Sequence, residues 1–445
     1  MRPFLALAAF VLLALPASRA DAQSLNPAFR AFVWADEPSA ASYTPDAGYR
    51  YNPAGAVTIT RASPGSYTVR FAGLASVVFA ANVQVTPYAT TARCRANGVS
   101  VDGSDLRVSV RCDDAGGTGQ DAQYSLLLTA APAGTPGVGY TWNSSEASSS
   151  TPSNFTYNAS GGTTTITRTA TGRYTVLFAG LAPAGGGTVQ VTAFDNLSSG
   201  LTVPGTACQS TLWTVTTSVS IDVLCQNSVG PVDARFYVLF LPSGQPTPGL
   251  AFAWAGQPTD ASYTPPPAYS YNAGGGAITA SRSGTGVYNM TFSGLAAPGG
   301  NVQITAFTPD RRCYTIGWSS SAVNVACVDA AGAAADAAYN VLFVNADVET
   351  ATEGGPEAGG LALEAAVPTP ALGWATLGFT LPEAADVRLA VYDALGREVA
   401  VLVTGAYAAG RHTATLDAGA LAPGVYVARL TAGGAAATRR VVVTR

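Results

Sequence analysis

The chain has 445 residues, of which 11% are charged, and a net charge of −4. All 23 basic residues are arginine, and histidine occurs once, at His412. So sparse and balanced a charge excludes the electrostatic footprint of a nucleic-acid binder and a polybasic membrane patch, while Gly, Ser, Thr, Ala and Val favour many short strands over helical bundles.

At the N-terminus Arg2 precedes an apolar run from Phe4 to Leu15, which Pro16 ends. Ala20-Asp21-Ala22 is a small-x-small site, so a secretory signal peptide is predicted over 1–22, cut between Ala22 and Gln23. No later segment is apolar for long enough to span a bilayer as a helix, so the mature chain is expected to lack a transmembrane anchor.

Three units follow. TITRASPGSYTVRFAGL (Thr58–Leu74) returns as TITRTATGRYTVLFAGL (Thr165–Leu181) and TASRSGTGVYNMTFSGL (Thr279–Leu295). Around it recur a tryptophan (Trp34, Trp142, Trp254), an aromatic-x-Tyr-Asn segment, a five-residue NVQVT, TVQVT or NVQIT, and a closing run after Asp121, Asp233 or Asp336. The tryptophans are 108 and 112 positions apart, the size of whole domains rather than solenoid repeats. The boundaries are set at 28–130, 137–242 and 249–345.

Within a unit the apolar period is two, as in Tyr67, Val69 and Phe71, with Gly- and Pro-rich turns between runs. That pattern predicts half-buried antiparallel strands. Seven or eight strands per unit predict an all-β fold of three tandem antiparallel sandwiches, Ig-like or jelly-roll in topology. Six cysteines fall two per unit, Cys94/Cys112, Cys208/Cys225 and Cys313/Cys327, each pair bracketing a predicted hairpin. In an exported chain this predicts three disulfides; no C-x-x-C pair or nearby histidine suggests zinc.

Arg61, Arg168 and Arg282 recur four residues before the turn glycine, and are expected to lie along an edge with their heads in water. A ligand contact is the alternative. The repeated aspartate is expected to cap a turn through its own backbone; alone in each unit, it makes no acid/base pair. Asp102-Gly103-Ser104-Asp105 reads as a hairpin turn before a calcium loop. The sequence also carries Asn-x-Ser/Thr sequons at Asn143 and Asn196, to which no role is assigned.

From Asn345 the texture changes to an acidic, glycine-rich stretch, expected as a linker over 346–366. A different β-rich segment follows. Leu381-Pro382, VRLAVYDALGREV (Val387–Val399), AAGRHT (Ala408–Thr413), LAPGVYVARL (Leu421–Leu430) and the end ATRRVVVTR resemble the C-terminal sorting domain of type IX secretion, found in exported proteins of Bacteroidota and their relatives. The family's usual Asn-Pro opening is replaced here by Val367-Pro368-Thr369-Pro370, which leaves the start of the domain open. The resemblance implies an Ig-like sandwich over 367–445, read by the type IX machinery, then removed with the cargo released or linked to surface polysaccharide. His412 lies inside this signature and is expected to be a structural strand-end residue.

The three units also resemble, more weakly, a tandem β-domain of exported bacterial proteins to which no activity attaches. With no lysine and no histidine before the sorting segment, two common general bases are missing. The chain is therefore expected not to be an enzyme, and to need no cofactor or metal. The expected role is adhesive or structural, at the cell surface or secreted. Trp34, Trp142 and Trp254 are the candidate ligand contacts, as stacking platforms for surface glycans, weighed against a core plug between sheets. The alternative function is polysaccharide binding or degradation.

Overall fold

The computed structural model describes residues 29–443 apart from 133, 184, 195–204, 244–248, 296–298, 320, 346–360, 364–373, 394–396, 423 and 434. The predicted signal peptide and its cleavage site at Ala22 and Gln23 lie outside the described residues, as does Asn196. Two compact units divide the chain near Val348.

In the first unit each repeat is a sandwich of two sheets. In repeat 1 the inner sheet runs Arg50–Tyr51, Phe29–Ala35, Gln123–Thr129, Asn82–Tyr88. The outer sheet runs Ser42–Tyr43, Val57–Ser63, Ser66–Phe71, Asp105–Asp113, Arg93–Asp102. Repeat 3 uses the same order, and so does repeat 2 except that its short first outer strand is reduced to a bridge between Ser150 and Ile166. Outer strands obey the expected alternation: Val57 and Ile59 are buried in the sandwich, while Thr58 and Thr60 face outward.

The inner strands do not alternate between core and solvent. Leu126, Leu127 and Leu128 are all fully buried. Leu126 and Leu128 enter the core of their own sandwich. Leu127 and Phe32 point the other way, into a second core shared with Tyr140, Leu239, Phe252 and Leu342 of the other two repeats. A strand buried on both faces reads as a continuous apolar run, and here the second face belongs to a centre common to all three repeats.

The repeats therefore close on one another around a pseudo-threefold axis. The edge strand Asn82–Tyr88 of repeat 1 bridges Arg311–Trp318 of repeat 3 through Tyr88 and Thr315, in parallel. Gly187–Phe194 of repeat 2 bridges Arg93–Asp102 of repeat 1 through Phe194 and Ala96, also in parallel. These bridges merge sheets of neighbouring repeats into two nine-stranded sheets. At the third junction Gln209 of repeat 2 donates to the Thr308 carbonyl of repeat 3 at 2.7 Å.

The second unit is a separate sandwich. One sheet is Ala362–Leu363, Trp374–Leu381, Gly410–Asp417; the other is Glu398–Tyr407, Ala385–Tyr392, Gly424–Ala432, Ala435–Val443. Within the stretch expected as linker, Leu363 is buried in this core beside Leu377, Phe379 and Leu389. Both units are all-β sandwich architecture, as the periodicity predicts.

Candidate functional site

The residues repeated in sequence meet at three places: the axis, the seams between repeats, and one hairpin node per repeat. At the axis the strands NVQVT, TVQVT and NVQIT send valine and isoleucine into their own sandwiches. The alternate residues, all 4% exposed or less, cross to the next repeat. The Thr86 hydroxyl donates to Gln303 Oε1 (3.0 Å), Thr305 to Gln190 Oε1 (2.9 Å), and Thr192 to Gln84 Oε1 (2.9 Å). The cycle thus runs from repeat 1 to 3, 3 to 2, and 2 back to 1. Each threonine also accepts a backbone N–H from its neighbour, those of Val85, Val191 and Ile304, at 2.9 Å.

One step beyond, Asn82 Nδ2 donates to the Thr141 and Val238 carbonyls of repeat 2. Asn301 does the same to Val33 and Leu126 of repeat 1. In repeat 2 the position is Thr188, which is too short to copy this. Gln84 and Gln303 donate to the Asn82 and Asn301 side-chain oxygens, whereas Gln190 Nε2 and Thr188 Oγ1 are buried without a partner. The repeated five-residue segment thus carries a second message, between repeats, that reading it as strand alone does not reveal.

The tryptophans occupy the seams. Trp34 packs against Tyr49, Tyr88 and, from repeat 3, Trp318, with ring centroids 5.0–5.5 Å apart. Trp254 packs against Tyr269, Phe307 and, from repeat 2, Trp213. In the remaining seam Trp142 meets Phe155 and Phe194, and Val99 stands where the neighbouring repeats place Trp213 and Trp318. A 3-10 turn at Ala75–Ala80, confined to repeat 1 among the described residues, brings Phe79 against Phe155 there. Trp34, Trp142 and Trp254 are half-buried, and their indole nitrogens are buried without a hydrogen bond. They share the outward face of the inner sheet with Phe32, Tyr140 and Phe252. They are neither plugs inside a sandwich nor open platforms.

The arginine and aspartate expected apart are one device. Arg61 Nε and Nη2 donate to both oxygens of Asp121, at 2.8 and 2.7 Å. Arg168–Asp233 and Arg282–Asp336 repeat this geometry. Each aspartate also accepts the turn glycine's N–H, from Gly65, Gly172 or Gly286, and lies 3.0–3.3 Å from a tyrosine hydroxyl, that of Tyr67, Tyr174 or Tyr288. The aspartate therefore caps a hairpin about 55 residues upstream, not its own turn, and the arginine head is held in a bidentate ion pair rather than in water.

The arginine's hydrogen bonds, the largest effect, hold all three carboxyls below their ordinary value against burial, the next largest, with the glycine N–H adding a smaller lowering. Asp336 reaches about 2. Burial pushes the Tyr67 and Tyr288 hydroxyls up to about 12. The turn glycines have φ of 66–69°, and a Cβ on any of them would strike the carbonyl of Cys112, Cys225 or Cys327. Only glycine fits that approach.

The three disulfides link the expected pairs. Cys94–Cys112, Cys208–Cys225 and Cys313–Cys327 are directly opposed across neighbouring antiparallel strands, with Cα atoms 3.9–4.0 Å apart. Asp102 and Asp105 face each other across a hairpin turn and pair with Arg107 and Arg70. Asn143 is buried and donates to the Ala234 carbonyl. His412 packs on Phe379 and Tyr407, with Nε2 2.8 Å from the Ala408 carbonyl. Among the described residues no group of three or more His, Cys, Asp or Glu could hold a metal, and no helix is long and apolar enough to cross a membrane.

Residues 366–444 match a protein family described as the secretion system C-terminal sorting domain. That match falls within the second unit, beginning after its strand Ala362–Leu363, and marks the chain as cargo of type IX secretion, exported to the cell surface or released. No curated protein matches the chain.

Proposed function

We propose that this chain, carried out of the cell by its type IX sorting domain, is a non-enzymatic surface or released protein whose three-repeat body serves an adhesive or structural role, the structural one being favoured. The observation that carries the reading is the use made of the repeated residues. The tryptophans fill seams, the arginines clamp aspartates, and the Asn-Gln-Thr series ties the repeats together. Residues repeated three times for three equivalent sugar sites would instead present an aromatic face to solvent beside free hydrogen-bonding groups.

The test is a glycan array and a polysaccharide-hydrolysis assay on the purified chain, with fractionation of producing cells. The expected result is surface or medium localisation without turnover. Turnover abolished by replacing a single carboxylate would overturn the reading in favour of a hydrolase. Saturable glycan binding lost in Trp34→Ala, with an unchanged fold, would shift it to polysaccharide binding.

A further inference from the structure

A recess of about 70 Å³ lies on the pseudo-threefold axis, against the threonine end of the hydrogen-bonded cycle. Equivalent residues of all three repeats line it, among them Val85, Val191 and Ile304, and the half-cystines Cys94, Cys208 and Cys313. It has room for more than one ordered water, which needs roughly 10–15 Å³. The threefold likeness ends at its charges. Arg93 and Arg312 directly precede their cysteines, where repeat 2 has Ala207; Arg311 stands where repeats 1 and 2 have Ala92 and Thr206.

Three arginines thus line one small space, and among the described residues no acidic residue lines it. Arg93 is 4% exposed; the other two are half-buried. None of the three forms an ion pair among the described residues, whereas Arg61, Arg95, Arg111, Arg168 and Arg282 each pair with an aspartate. The neighbouring carboxylates have other partners. Asp113 holds Arg95 and Arg111, Asp114 caps the Gly116 and Thr118 N–H groups, and Asp329 caps those of Ala331 and Ala333.

An arginine has five N–H donors. Arg93 gives one to the Ala115 carbonyl and one to that of Ala330. Arg312 gives one to the Thr91 carbonyl, and Arg311 one to the backbone carbonyl of Asp310. The Nε of each is buried without a partner. Buried charge of one sign persists only when something compensates it. Burial, then a neighbouring arginine, lowers the Arg93 and Arg312 guanidinium groups from their usual range, Arg312 to about 10, opposed in part by Asp114 at Arg93 and by Tyr314 and Asp329 at Arg312.

We propose that this axial recess binds a small oxyanion, a phosphate, sulfate or carboxylate group, held by Arg93, Arg311 and Arg312. Planar N–H forks suit such groups. The anion can arrive free or as the terminal group of an acidic glycan, and the two sources differ in the test. Calorimetric titration and thermal unfolding of the full chain are run with inorganic phosphate, inorganic sulfate, and a sulfated oligosaccharide, against sodium chloride at equal ionic strength. The expected result is saturable binding with a rise in Tm, and at least a tenfold weaker Kd in Arg312→Gln and in Arg311→Gln, both at half-buried positions. Arg173→Gln, an exposed change in repeat 2, leaves binding unaltered. Response to the inorganic anions assigns the site to a free ion; response to the oligosaccharide alone assigns it to a glycan end group. No saturable response beyond chloride, or equal binding by folded Arg311→Gln and Arg312→Gln, overturns the proposal.

Discussion

Asp336 shows how a single carboxylate holds two distant segments together. It accepts two hydrogen bonds from Arg282, one from the Gly286 N–H, and lies 3.0 Å from the Tyr288 hydroxyl. Hydrogen bonds to a charged group contribute about 2 kcal/mol each, so Asp336→Asn is expected to destabilise the first unit by at least that amount in urea unfolding. Its folded pKa, about 2, lies below the ordinary aspartate value near 4. Its contribution is therefore complete above pH ~4 and lost as pH falls toward ~2. Thermal unfolding at pH 6, 4, 3 and 2 should show the wild type losing Tm over that window, with a smaller loss in Asp336→Asn. Thr188 gives the opposite kind of test. Replacing it by asparagine restores the partner that Gln84 and Gln303 have and Gln190 lacks. Thr188→Asn is expected to stabilise by about 1 kcal/mol, and the gain should disappear when Gln190→Ala is already present.

At the level of strands, the outer sheets were readable and the inner sheets only half so. Tyr67, Val69 and Phe71 alternate and are buried on one face, as period two requires. The final strand of each repeat, after Asp121, Asp233 or Asp336, reads as alternating at first sight. Its Leu126-Leu127-Leu128, and the Val238-Leu239-Phe240 of repeat 2, are unbroken apolar runs, the mark of burial on both faces. That mark announces a second core but not what fills it. Which strand crosses which seam depends on contacts between residues more than a hundred positions apart, which periodicity does not encode. The cysteines were legible because a hairpin brings its ends together whatever surrounds it, and the resulting sulfur bridges close loops of 14–18 residues. Removing one of them, as in the Cys208→Ser/Cys225→Ser pair, is expected to cost about 3 kcal/mol, read as a lower denaturation midpoint with the fold retained. The tryptophans misled for a related reason. A large aromatic on an inner strand signals burial, but only the assembled seam tells against what.

For the molecule as a whole, a closed cycle of repeats predicts cooperativity. Separate sandwiches on a string would melt independently. Three that share a central core and a cycle of hydrogen bonds should unfold together. Calorimetry of the full chain is expected to show one transition for the first unit and another for the sorting domain, rather than three for the body. Three independent body transitions would contradict the shared core. The same arrangement joins the first repeat to the last, so deleting 249–345 would bare the edge strands Asn82–Tyr88 and Ala207–Val215. Unpaired edges recruit other chains, and the shortened protein should run as soluble oligomers or aggregate in size-exclusion chromatography. An assembly of three identical subunits would have to accept every substitution in triplicate around its symmetry axis. Covalent linkage frees each lobe to diverge alone: Val99 against two tryptophans, Thr188 against two asparagines, Ala207 against two arginines. A charge that three identical copies would crowd into one narrow space can be set at two corners and omitted from the third.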